Sequence, residues 1–67
     1  MAEHVITLED GVHEDRLIPY LVIQYGICNP RKDRWMRGVV TADVPDPELI
    51  LLDPWVRAIR RVGEPRV

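Results

Sequence analysis

Few side chains in this 67-residue chain are able to do covalent chemistry. It has one thiol, Cys28, and two imidazoles, His4 and His13. A nucleophilic cysteine needs a neighbouring base to hold it as the thiolate, and both histidines lie far from Cys28 in sequence. Free cysteines are usually small buried hydrophobes, so Cys28 is expected half-buried at a strand end. His4, His13, Glu14 and Asp15 carry metal-binding atoms, but no pair has a ligand spacing such as His-x-x-x-His or Cys-x-x-Cys. No metal or cofactor site is assigned to them. Carboxylates are numerous: Glu9, Asp10, Glu14, Asp15, Asp43, Asp46, Glu48 and Asp53. General acid–base work needs two of them in a cleft that shifts their pKa values, and so short a chain has little room for one. Gly11, Gly26, Gly38 and Gly63 are scattered and form no phosphate-binding loop. No catalytic residue is assigned, and an enzyme is not expected.

The bases offer binding chemistry instead. Nine Lys and Arg stand against eleven Asp and Glu, for a net charge of −2. They concentrate in two blocks: Arg31, Lys32, Arg34 and Arg37, with Trp35 among them, and Arg57, Arg60 and Arg61. Bases interleaved with an aromatic ring can grip a phosphate backbone while the ring stacks on a base. That gives a nucleic-acid reading, provided the two blocks share one face. The acidic balance, with a pI near 5.5, opposes it, because a basic domain is the usual footprint. Segregated acidic and basic patches suit docking on a protein. The leading expectation is therefore a small non-enzymatic binding or regulatory module, or an accessory subunit, with nucleic acid as the alternative partner. The candidate binding surface is Arg31, Lys32, Arg34, Trp35, Arg37, Arg57, Arg60 and Arg61.

The elements that must position these residues follow from pattern. His4–Leu8, with Val5, Ile6 and Thr7, reads as a strand ending at the Glu9-Asp10-Gly11 turn. Gly11–Arg16 reads as a loop. Leu17–Cys28 is apolar on both alternating faces, which predicts a central strand, with Pro19 near its start and Gly26 at a bulge. Asn29-Pro30-Arg31-Lys32-Asp33 is a turn cluster leading to a strand over Arg34–Ala42, so the two runs form a hairpin with a basic tip. Glu48–Leu52 fits a short strand slightly better than a helical turn. Asp53 as N-cap, Pro54 at the first helical position, the stripe Trp55, Ala58, Ile59, Val62, and Gly63 and Pro65 beyond it predict a helix over Pro54–Val62. Its exposed face would carry Arg57, Arg60 and Arg61. Trp55, heading the stripe, is expected in the core.

The sum is one domain over residues 1–67, mostly β within α+β. It has a small antiparallel sheet or barrel of three or four strands and a short C-terminal helix. Trp35-Met36-Arg37-Gly38-Val39 followed by Leu52-Asp53-Pro54-Trp55-Val56 resembles the tryptophan strand and closing segment of SH3-like barrels. The resemblance covers only those residues. The peptide-binding aromatics of signalling SH3 domains are not evident, so no family follows. A two-sided apolar strand needs cover on both faces, which points to a homodimer. The lone cysteine points to a reducing, cytoplasmic setting. Met1–Asp10 lacks the basic start of a signal peptide, and Leu17–Pro30 is too short and interrupted to span a bilayer, so no membrane partner is expected.

Overall fold

The computed structural model describes residues 2–63. The element order is β1 (Ala2–Leu8), α1 (Glu14–Tyr25), β2 (Cys28–Lys32), β3 (Val39–Val44), α2 (Pro47–Leu51) and β4 (Val56–Arg61). One four-stranded sheet has the order β2-β3-β1-β4, with every neighbouring pair antiparallel. Strands β1 and β2 are therefore parallel with β3 between them, and β3 and β4 are parallel with β1 between them. These are two interleaved β-α-β units, the connectivity called ferredoxin-like.

Alternation along β1 decides where the core lies. His4, Ile6 and Leu8 are buried, while Glu3, Val5 and Thr7 are half-buried. The register sets Ile6 opposite Val40 and His4 opposite Ala42, so these side chains share one face. That face joins Leu17 and Leu21 of α1, Ile27, Val44, Ile50 of α2 and Val56 in a single core cluster. Both helices thus cover one face of the sheet, and no element of the described residues covers the other.

The fold agrees with the expected α+β class, antiparallel sheet and first strand, and corrects several finer expectations. The sheet is open, not an SH3-like barrel. Leu17–Cys28 is not a strand. Its run through Tyr25 is helical, because Leu17 and Leu21 at i and i+4 both reach the core, and helix formation here is driven by that burial rather than by propensity. Pro19 lies inside the helix and removes one backbone hydrogen bond, a cost of about 3 kcal/mol that tertiary packing offsets. Gly26 marks no bulge: at φ 67° it ends α1, donating its N–H to the Val22 carbonyl. This left-handed stop is one that glycine takes without strain. Glu14–Arg16 belongs to the first turn of α1, not to a loop.

Of the expected turn over residues 29–33, residues 29–32 belong to β2 (Cys28–Lys32), and the segment around Trp35 is the loop. The second strand of the hairpin begins only at Val39. Glu48–Leu52 is not a strand: residues 47–51 form α2, with the Asp46 side chain accepting from Leu49 N–H and Pro47 in the first turn.

The expected C-terminal helix is instead β4. Asp53 and Pro54 do not open a helix but occupy the first two positions of a β-turn. Val56 N–H donates to the Asp53 carbonyl at 3.1 Å, and Asp then Pro is a favoured start for such a turn. The chain then pairs along β1 from Leu8↔Val56 to His4↔Arg61. Trp55 is 51% exposed rather than core. Pro65, expected just beyond the helix, lies outside the described residues. The strand premise for a homodimer disappears with this correction, since the apolar run is a helix packed on its own sheet.

Candidate binding surface at one end of the sheet

Strand direction assembles the site. β1 ends, β2 ends, β3 begins and β4 begins at the same edge of the register, where Thr7 meets Val39 and Leu8 meets Val56. Loops 9–13, 33–38 and 52–55 therefore emerge together at one end of the sheet. Cross-links tie them: Leu8 N–H donates to the Gly38 carbonyl at 2.7 Å, and Glu9 N–H to the Trp55 carbonyl at 2.9 Å. Gly38 N–H also donates to Glu14 Oε1.

Loop 33–38 is built around Asp33. Its Oδ1 accepts the N–H groups of Trp35 and Met36, both at 2.8 Å, and its own N–H donates to the Val39 carbonyl at 2.9 Å. An aspartate folding the backbone over its own carboxylate is a turn that closes without apolar packing. The apolar residues it carries are left outside: Trp35 is 87% exposed and Met36 61%. Arg34 and Arg37 flank them and are exposed. Loop 52–55 adds Leu52, 80% exposed, and the half-exposed Trp55 to the same end.

The second turn also rests on an aspartate. Asp53 Oδ1 accepts Trp55 N–H at 2.9 Å. Its Oδ2 accepts the phenol hydroxyls of Tyr20 and Tyr25, each at 2.5 Å. The carboxylate is only 4% exposed. Burial pushes its pKa up, but the hydrogen bonds from Tyr20, Tyr25 and Trp55 outweigh this and hold it below the ordinary carboxylate range. The same hydrogen bonds, followed by burial, push both phenols upward. Two rings standing edge to face, with centroids 6.3 Å apart, thus fasten α1 to the turn before β4.

The two basic blocks are not brought together. Arg31 and Lys32 sit on edge strand β2, and Arg57, Arg60 and Arg61 on the opposite edge, β4, rather than on a helix face. The register Arg31↔Thr41, Thr41↔Val5, Val5↔Arg60 places Arg31 and Arg60 in one row on the uncovered face. Three strand spacings separate them, about 14 Å. Arg61 pairs with His4 and so faces the helix side. Three bases already have acidic partners: Arg31 bonds Glu3, Lys32 Nζ lies 2.8 Å from Asp15, and Arg57 3.8 Å from Asp10. The Lys32–Asp15 hydrogen bond and attraction raise the lysine pKa and lower that of the aspartate. Among the described residues, no acid lies within ion-pair distance of Arg34, Arg37, Arg60 or Arg61.

Among the described residues, a hollow of about 260 Å³ lies under the tip between Glu14, Lys32, Arg34 and Trp35, and two larger ones accompany it. One of about 610 Å³ lies at the loop end, between loop 9–13 and the base of loop 33–38, with Glu9, Asp10, Val12, Glu14, Arg37 and Gly38 on its walls. Another of about 380 Å³ lies on the uncovered face, between Glu3, Val5, Arg31, Arg34 and Thr41.

The chemistry-bearing side chains are dispersed. His4 is buried on β1, with Nδ1 2.9 Å from the Ala2 carbonyl oxygen. His13 is exposed before α1, and Cys28 is exposed at the start of β2 rather than half-buried. Among the described residues no three His, Cys, Asp or Glu side chains converge as metal ligands, and no helix is long and apolar enough to cross a membrane. No protein-family model, curated protein or solved structure matches the chain.

Of these residues, the sequence pattern marks the bases and Trp35; Leu52, Trp55 as a surface residue and the Tyr20–Asp53–Tyr25 cluster come from the fold. One signal was present. In Leu49-Ile50-Leu51-Leu52, a one-turn helix can bury only one side, so some of those leucines had to face water.

Proposed function

We propose that this chain is a non-enzymatic binding module that engages a protein through the loop end of its sheet. The observation that supports this reading best is the Asp33 turn, which holds Trp35 and Met36 out in water between Arg34 and Arg37. Trp, Met and Arg are the residues enriched in protein interfaces. An ordered turn presenting them has already met part of the ordering cost of binding. The partial neutralisation of the basic blocks, their placement on opposite edges and the net charge of −2 favour protein over nucleic acid. A reducing compartment such as the cytoplasm accompanies this reading, since the single exposed thiol of Cys28 is compatible with it.

The test compares capture by the immobilised chain with capture by Trp35→Ala/Met36→Ala and by Ile23→Ser. Ile23 is 82% exposed on α1 and belongs to none of the three loops. The expected result is a partner retained by the parent and by Ile23→Ser and lost with the double variant. Retention by all three removes the loop end from the function. Labelled oligonucleotides titrated in parallel at roughly 50 and 200 mM salt provide the competing outcome: binding that collapses between them is the mark of phosphate contacts and would put nucleic acid in place of protein.

A further inference from the structure

The loop end carries a projection and a hollow of opposite character. The projection is Trp35 and Met36, apolar and flanked by Arg34 and Arg37. The hollow is the 610 Å³ space beside it, lined by Val12, by the acids Glu9, Asp10 and Glu14, and by Arg37 at the base of the projection itself. Its volume lies within the range that accepts compact ligands, ample for a large side chain. Glu9 is exposed with no basic partner among the described residues, and Asp10, whose side chain is 99% exposed, is met only by Arg57 at 3.8 Å, so both carboxylates can be reached by an incoming cation. The projection cannot fill the hollow of its own chain, because the Asp33 turn directs Trp35 into solvent.

We propose that the natural occupant of this hollow is the same tip from a second copy of the chain. This rests on the reading of the loop end as the binding surface and names its partner. Projection and hollow adjoin at Arg37 and Gly38. A two-fold axis near that point carries each tip into the other copy's hollow, so both contacts form at once, as an isologous dimer requires. Arg34 and Arg37 of each copy then face Glu9 and Asp10 of the other. A standard interface takes about 800 Å² per partner, roughly a sixth of this molecule's 5094 Å² surface, which is the share one end of it can supply.

The test is sedimentation equilibrium from low micromolar to millimolar concentration, on the parent and two charge-reversed chains. One is Arg34→Glu/Arg37→Glu, with an acidic tip. The other is Glu9→Lys/Asp10→Lys, with a basic hollow. The parent is expected to shift from the mass of one chain to that of two. Each reversed chain alone stays monomeric over the range where the parent pairs. The two mixed together recover the two-chain mass, because the acidic tip now meets the basic hollow, and the unaltered basic tip meets a hollow that keeps Glu9 and Asp10 and gains a further acid at position 37. Recovery also shows that both variants are folded. In a Trp55→Phe background, Trp35 emission should move to the blue with the same concentration midpoint.

A parent that remains monomeric at millimolar concentration overturns the proposal. So does pairing that survives either reversal, or a mixture of folded variants that fails to pair. If circular dichroism shows a variant to be unfolded, the Trp55→Phe titration decides: emission that does not move on pairing overturns the proposal. A monomeric parent whose partner capture still depends on Trp35 and Met36 leaves the proposed function standing and removes only the self-pairing.

Discussion

Asp33 and Asp53 each turn the chain by accepting the N–H of a tryptophan two residues on, at 2.8 and 2.9 Å. Their surroundings differ. Asp53 is buried and its second oxygen receives two phenols from α1. Asp33 belongs to a surface loop, and its contacts stay within that loop and the first residue of β3. The Asp53 turn is part of the fold's framework; the Asp33 turn is hung on it. One local device therefore serves stability where the rest of the molecule closes over it, and presentation where it does not.

The comparison breaks most visibly at Asp53. Asp53→Ala strands two partly buried hydroxyls and frees the turn, an expected loss of about 3 kcal/mol in urea unfolding. Asp33→Ala is expected to cost about 1 kcal/mol, with the sheet intact. Equal losses would dissolve the distinction between the two turns.

Acid sharpens it further. The Asp53 carboxyl has a folded pKa below its ordinary 3.8. Its contribution is then complete above that ordinary value and disappears as pH falls through the lower folded value. The stability gap between the parent and Asp53→Asn should be constant at neutral pH and close in strong acid. A gap that stays open in acid would show that charge at Asp53 is irrelevant.

Tyr25→Phe removes one of the two donors and keeps the ring, for an expected loss of about 1 kcal/mol in the same unfolding assay. The smallest effect belongs to the exposed side: Trp35→Ala should change stability by no more than about 0.5 kcal/mol. A larger loss would mean that Trp35 contributes to the fold, which its 87% exposure argues against.

These two turns also explain what could be read from sequence. A basic hairpin in this region was legible from the run of bases, but its turn was misplaced: Asn29-Pro30 lies within β2, and the chain turns at residues 33–38 around Asp33. Strand β1 was legible because Val5, Ile6 and Thr7 favour strand and the turn after them is explicit. Asp53-Pro54 was misread because the same dipeptide opens helices and β-turns. The choice between them came from the unpaired edge of β1, some fifty residues away in sequence. Helix α1 was misread because Ile23 and Val22 face water. Apolar residues on the wet side made the run look two-sided, which is where periodicity loses its power to separate helix from strand. The candidate surface was half-legible for the same reason: Leu52 and Trp55 are apolar residues left outside, and sequence pattern assigns such residues to the core by default.

The strand order has a kinetic consequence. β1 is the middle of the ladder and is synthesised before both of its neighbours, β3 and β4. Its hydrogen-bonding edges stay unmatched until residues 39–44 and then 56–61 have been made. Pairings of such long sequence separation are slow to form, because loop closure must precede any gain. The nascent chain therefore cannot complete its sheet, and α1, which depends on burial against that sheet, waits with it. Through that interval β1 presents two bare edges, and a neighbouring chain offering a strand would compete with β3 or β4 for the same place.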